Sequence, residues 1–276
     1  MKTRQLTVAG GEDGADLLTF LARSLGVSRK KAKRRLDDRN VLVNGRRIWM
    51  AHHLLRAGDR VTCVESGPST PPAAPVPLYE DEDYLIVNKP AGRLSNGPDS
   101  VESRLRAQPK FADLKAVHRL DRDTTGCLLC ARHAAAFREA VALFRQGAVR
   151  KMYHCIVEGA LRSPARTLRA PIERQRAVTH IRTLRASRQA SHLQARLETG
   201  RTHQIRKHLA AIGHPVIGDR RYATRPRATP AALSAQRQML HAAAIEFRHP
   251  RTGRPVRAHA PLPADFRRCL KALRLE

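Results

Sequence analysis

Eleven residues, Gly67 to Pro77, contain five prolines. A proline has no amide hydrogen to donate and clamps its own φ, so such a run cannot continue a helix or sit in a central strand. It reads as an extended, fairly stiff linker. The 276-residue chain is therefore expected to fold as a small domain over 1–67, a linker over 68–77 and a larger domain over 78–276. The length suits one or two domains.

Charge is the next constraint. There are 52 Lys+Arg against 24 Asp+Glu, a net +28. With 42% hydrophobic residues the chain can build a core, so it is no disordered basic tail. The excess lies on both sides of the linker, 14 against 7 before residue 68 and 38 against 17 after it. Such a charge calls for a polyanionic partner: RNA, DNA or an anionic membrane. No apolar run approaches the ~18 residues that would span a bilayer. The first residues hold no apolar segment of signal-peptide type. Five cysteines are too few, and odd in number, for a disulfide framework, which makes a reducing cytoplasm the expected compartment. Aromatics at 4% argue against RNA binding through many stacking rings.

In the small domain, Asp16 to Leu25 fits a short helix with Leu17, Leu18, Leu21 and Leu25 on one stripe and Gly26 closing it. Ser28 then caps a second helix, Arg29 to Arg39, that carries seven basic residues. Val41 to Ile48 reads as a hairpin about Asn44-Gly45, and Arg56 to Val64 as a turn and last strand. A basic helix followed by a hairpin bearing Arg46 and Arg47 is a device for gripping phosphates; the plainer alternative is a solvated charged face. Over roughly residues 14–65 the segment resembles the S4 RNA-binding domain.

The larger domain alternates strand-like runs (84–87, 127–131, 152–157, 178–184, 193–197, 244–247, 256–259) with helix-like ones (134–144, 202–212, 264–273). Regular βαβ spacing and glycine-rich nucleotide loops are missing. The expected class is α+β, with a mainly antiparallel mixed sheet. Thr224 to Ala235, with Pro226 and Pro230, reads as a surface loop.

Three segments carry possible chemistry. Val117 to Gly126 puts Asp121 in a polar loop just before an apolar strand, where partial desolvation can set its reactivity. Taken alone, Asp121 is as well read as an Asx-turn residue. Gly200 to His208 opens a helix with Thr202 as expected cap, buries Ile205, Leu209 and Ile212, and puts His203 and Arg206 on another face. Lys151 to Gly159 is a strand whose alternation turns Tyr153, Cys155 and Val157 inward.

These segments, in this order, resemble the RluA-type family of RNA pseudouridine synthases. The family motif His-Arg-Leu-Asp-x-x-Thr-Ser-Gly stands here as His118 to Gly126, with Thr125 in place of Ser but the hydroxyl kept. Lys151-x-Tyr153, Gly200 to His208, Gly213 to Tyr222, Asn88 to Gly92, Leu240-His241-Ala242 and His249-Pro250 also fit. The likeness spans nearly all of 78–270 and is poorest over Arg93 to Ala107. It implies isomerisation of uridine to pseudouridine in a flipped-out base, with no metal and no cofactor. It implies Asp121 as the essential carboxylate, Arg206 as its ion-pair partner and Tyr153 stacked on the base, with Arg119 filling the gap the base leaves. His118, Arg201 and His203 are further candidates for holding substrate, as are Arg29, Lys30, Lys31, Arg34 and Arg46 in the small domain. The expected partner is RNA, large-subunit ribosomal RNA ahead of transfer RNA, met by a monomer with no membrane role.

Other readings are weaker. Cys127-x-x-Cys130 points its thiols to opposite strand faces and has no second pair, so zinc and thioredoxin-like chemistry both lack support. A hydrolase with Asp121 as nucleophile lacks a second carboxylate or His base at matching spacing. A non-catalytic RNA-binding protein would share the charge and the S4-like segment, but would have no need of the Asp121, Tyr153 and Arg206 set.

Overall fold

The computed structural model describes residues 2–37, 41–48, 50–65, 75–219, 221–223 and 235–276. The chain separates into two compact units, residues 1–71 and 72–276. Most of the proline-rich run, 66–74, lies outside the described residues, as does the expected loop at 224–234.

The first unit comprises β1 (Lys2–Thr7), α1 (Leu17–Ser24), α2 (Arg29–Asp37), β2 (Val41–Val43), β3 (Arg46–Arg47) and β4 (Arg60–Glu65). Its sheet runs β1-β4-β2-β3. The Asp16 carboxylate caps α1 by accepting from the Thr19 amide at 2.9 Å and the Thr19 hydroxyl at 2.6 Å. These hydrogen bonds, the hydroxyl's first, hold Asp16 below its ordinary pKa. Leu17, Leu21, Ala32, Leu36, Val41 and Val61 close the core. Asn44 and Gly45 both take positive φ, 49° and 76°, as a two-residue turn matched to strand twist requires. Strand β1 has no counterpart in the sequence reading. Its Lys-Thr-Arg-Gln-Leu-Thr shows no apolar alternation, because it is an edge strand held by pairing with β4.

The second unit holds β5 (Val76–Glu80), β6 (Tyr84–Lys89), α3 (Val101–Arg106), β7 (Lys115–Ala116), β8 (Thr125–Ala131), α4 (Ala134–Arg145), β9 (Arg150–Glu158), β10 (Ala165–Leu168), β11 (Thr179–Ala186), β12 (Ala190–Leu197), α5 (Gln204–Ala211), β13 (Leu240–Arg248), β14 (Pro255–His259) and α6 (Ala264–Ala272). The sheet order is β10-β11-β12-β9-β13-β8-β6-β5, with β14 beside β13 and β7 beside β8. Every pairing is antiparallel except β13 with β8. This is an α+β fold on a mainly antiparallel mixed sheet. The expected linker end is corrected here: Val76 and Pro77 already belong to β5, an edge strand with a bulge, where a missing amide is tolerated.

Strand β8 is buried throughout. It puts Leu128 and Cys130 into one core layer and Cys127 and Leu129 into the other. Gly126 is where β8 meets β13. Its φ is 110°, and a Cβ would stand 2.1 Å from the Ala242 carbonyl oxygen, so no other residue fits. Thr125, beside it, donates its hydroxyl to His241 Nδ1 at 2.8 Å, and His241 Nε2 donates to the Ala260 carbonyl at 3.1 Å. The hydroxyl that Thr shares with Ser is thus in use.

Buried histidines set an acid limit on this unit. His241 is fully buried, and His192, hydrogen-bonded to His154 at 2.8 Å, is nearly so. Burial pushes both pKa values down to about 4. The unfolded chain, near 6.5, takes up protons first as the pH falls. Their stabilisation is therefore complete above about pH 6.5 and is lost on the way down to about 4. Between pH 7.5 and 5 each should cost about 2 kcal/mol, a loss visible as a falling urea midpoint while carboxylates are still ionised. A flat midpoint over that range would mean that the two rings are protonated in the fold.

Candidate active site

The loop that carries Asp121 is held from several sides. It lies between β7 and β8, and the Thr124 amide donates to the Asp121 carbonyl at 3.0 Å to close its turn. Ser95 Oγ accepts from the Leu120 amide at 2.8 Å and donates to the Leu120 carbonyl at 3.1 Å. Lys89 is fully buried at the end of β6. Its ammonium gives one hydrogen each to the carbonyls of Pro90, Arg93 and Arg122, at 2.8, 2.6 and 2.8 Å. Burial pulls its pKa down to about 7 against the opposing pull of Asp123 and Asp121. Arg237, just before β13, donates to the Asp123 carbonyl at 3.1 Å while its fork grips Asp265 of α6 at 2.6 and 3.0 Å. A loop whose backbone carbonyls are tied by Lys89 and Arg237 presents the Asp121 carboxylate in a fixed place.

That carboxylate meets α5. Arg206 Nη1 donates to Asp121 Oδ2 at 2.8 Å, and His203 Nε2 stands 3.6 Å from Oδ1. The other edge of the guanidinium is locked onto Asp219, Nε to Oδ2 at 2.6 Å and Nη2 to Oδ1 at 2.9 Å. Asp219 is wholly buried and also accepts from the amides of Arg221 and Tyr222 at 2.9 and 3.2 Å. Burial opposes the Asp219 charge, but Arg206's hydrogen bonds outweigh it and hold the pKa below the usual value. Burial likewise opposes the Arg206 cation, and Asp219 first, then Asp121, raise its pKa above the ordinary one. One fork thus binds two carboxylates, one sealed and one facing the cleft.

The start of α5 corrects an expectation. The helix begins at Gln204, not at a Thr202 cap, and the residue before it, His203, is left-handed with φ 56° and makes no side-chain cap. Gln204 does the holding: its Oε1 accepts from the Thr199 hydroxyl and the Arg201 amide, and its Nε2 donates to Val178 and Thr179. The left-handed turn aims the His203 ring inward, where Nδ1 meets the Tyr222 hydroxyl at 2.8 Å. Burial lowers the His203 pKa, with Asp121 opposing. The Tyr222 ring lies under the Arg206 guanidinium, 5.2 Å from its centroid.

Arg119, Asp121, Tyr153, Arg201, His203 and Arg206 line one open cleft of about 110 Å³. Tyr153 is buried in the core layer beneath it; burial first, then Asp121, raises its hydroxyl's pKa. His118 is not brought there. It accepts from the Leu129 amide at 3.0 Å and stacks on Phe144 at 5.1 Å, held neutral by burial, its pKa pushed down to about 3. Arg29, Lys30 and Lys31 are exposed on α2 of the first unit, while the side chains of Arg34 and Arg46 lie outside the described residues.

Asp219, Lys89 and Arg237 had no assigned role in the sequence. Only the run Gly218-Asp219-x-x-Tyr222 hinted at the first. Gly218 shows why: a Cβ there would lie 2.0 Å from the Arg237 carbonyl oxygen, so the turn carrying Asp219 must pass close to Arg237.

The chain has relatives among known proteins. A family model described as RNA pseudouridylate synthase matches residues 83–211, and an S4 domain model matches 17–61. Ribosomal large subunit pseudouridine synthase C of Escherichia coli K12 is 33% identical, with 98% of this chain and 96% of that protein covered. Ribosomal large subunit pseudouridine synthase D of Haemophilus ducreyi is 31% identical over 99% and 97%. Human RNA pseudouridylate synthase domain containing 4 superposes with a TM-score of 0.63 at 22% identity, over 72% of this chain and 93% of that one. That last likeness concerns the fold alone.

Proposed function

The chain belongs to the RNA pseudouridylate synthase family and is a pseudouridine synthase; on that premise we propose that it modifies uridines of large-subunit ribosomal RNA, with Asp121 as the carboxylate that works at the ribose. The relatives that match over nearly the whole chain are named for that RNA. The observation that carries the site is the Arg206 fork, which ties Asp121 to sealed Asp219 and leaves Asp121 partly open to the cleft.

The isomerisation breaks the N1–C1′ bond, turns the uracil and rejoins it through C5. The C5 hydrogen leaves as a proton and N1 gains one, so no redox partner is needed. The target base must leave its helix to reach the cleft. Tyr153 supplies a ring for the flipped base to stack on, and Arg119, exposed at the cleft, takes the place the base vacates. Arg206 holds the Asp121 carboxylate aimed at the cleft; His203 and Tyr222 hold the other side. Asp121, Tyr153 and Arg206 come from one chain, so a monomer suffices, working in the cytoplasm where its RNA is made.

Mapping pseudouridine in ribosomal and transfer RNA from cells with and without this protein tests the reading. Loss of sites in large-subunit RNA is expected. Loss confined to transfer RNA would move the target, and no loss in either would overturn it.

A further inference from the structure

The cleft has a neighbour. A second groove, of about 740 Å³, shares Leu197, Gly200 and Arg201 with it. Its floor includes the apolar side chains of Val117, Phe144 and Val149, and its walls carry six cations: Arg145, Arg150, Lys151, Arg176, Arg196 and Arg201. The one carboxylate in the lining, Glu198, is taken by Arg176 at 3.0 Å and His180 at 2.7 Å. Glu246, across the strands from Arg150, is taken by Arg257 at 2.8 Å. Among the described residues, five of the six cations have no ion-pair partner. Lys151 lies over the Phe144 ring at 5.2 Å.

Like charges crowded around one concavity repel one another unless a polyanion neutralises them. The pairing of β12 with β9 puts Arg196 opposite Met152, so Arg196 and Arg150 are diagonal neighbours on one sheet face. Such diagonal neighbours stand about 7–8 Å apart at the backbone. Arg201 lines both the groove and the cleft. The lining offers many donors of positive charge and little that reads a base edge, which marks a surface for backbone and not for sequence.

We propose that this groove holds the phosphate backbone of the RNA strand leading to the target uridine, a proposal that rests on the RNA substrate argued above. The test is the salt dependence of binding to a labelled twelve-nucleotide oligouridylate, measured by fluorescence anisotropy for the full chain and for the double variant Arg150→Gln/Arg196→Gln. Both side chains are exposed, so the fold should survive. Losing two phosphate contacts should reduce the slope of log K against log salt by about 1.4 and weaken binding about tenfold or more near 0.1 M salt. On ribosomal RNA the same variant should raise KM and leave kcat within about twofold, since neither residue touches Asp121. The control, Arg267→Gln/Arg268→Gln on α6, removes the same charge from a helix that lines neither cavity. An unchanged slope in the groove variant, or an equal loss in the control, overturns the proposal. A reduced slope in a protein that makes no pseudouridine would leave the groove standing and sink the activity instead.

Discussion

Asp121→Ala is expected to bring pseudouridine formation down at least about 10⁴-fold, to background, while RNA binding stays within about twofold. A loss of that size corresponds to more than about 5 kcal/mol of transition-state stabilisation, as expected for a group that acts in the chemical step. The fold should tolerate the change. Arg206 keeps its two bonds to Asp219, so no buried cation is left unpaired, and the loop is held through Lys89, Ser95 and Arg237 rather than through the Asp121 side chain. Carbodiimide-adduct primer extension on extracted RNA reads the outcome. Full modification by the Ala variant would remove Asp121 from the mechanism. Asp121→Asn should be as inactive, because the amide keeps the shape and lacks the charge.

The second large effect belongs to Arg206. Arg206→Ala strands Asp219, a wholly buried carboxylate, with two backbone amides as its remaining partners. Breaking one side of a buried ion pair costs about 3–5 kcal/mol, and urea unfolding should show it. It also frees Asp121 to turn away from the cleft, so turnover should fall with stability. Arg206→Lys separates the two effects. An ammonium restores one charge beside Asp219 but cannot form the fork and reach Asp121 as well. Stability should return in part, and single-turnover rates should stay low. Charge reversal of an exposed arginine, Arg267→Glu, should do far less than either. If Arg267→Glu reduced turnover as much as Arg206→Ala, Arg206 would be one more phosphate-binding cation and not the partner of Asp121.

The expected elements came through because each had a local cause. Asp16 caps a helix three residues from its Thr19 partner, and Asn44-Gly45 takes the two positive φ values a tight hairpin needs. Strands β8, β9 and β12 could be read from apolar runs because both their faces, or one in full, are buried. The elements not seen, β1, β5, β7, β10 and α3, are short or at sheet edges, and pairing rather than composition makes them strands or helix. The expected Thr202 cap fails for a related reason. A threonine there has the right chemistry for a cap, but Gln204 satisfies the helix entry from within and turns His203 left-handed.

Read alone, the chain determined its two-part organisation in outline, the polyanionic partner and the segments that carry Asp121, Tyr153 and Arg206. These follow from charge, from proline and from motif spacing, which are local. The tertiary structure decided which of those residues meet. The Asp121–Arg206 bond joins residues 85 apart in sequence, and the Arg237 grip on the Asp123 carbonyl spans 114. It also removed His118 from the cleft, enlisted Asp219 as the anchor of the fork, and gathered into one groove five cations, from α4, β9, β12 and the turn before α5, that have no ion-pair partner among the described residues. Contacts at such separations leave no periodic trace in the chain; they exist only where sheet order and register bring distant strands together.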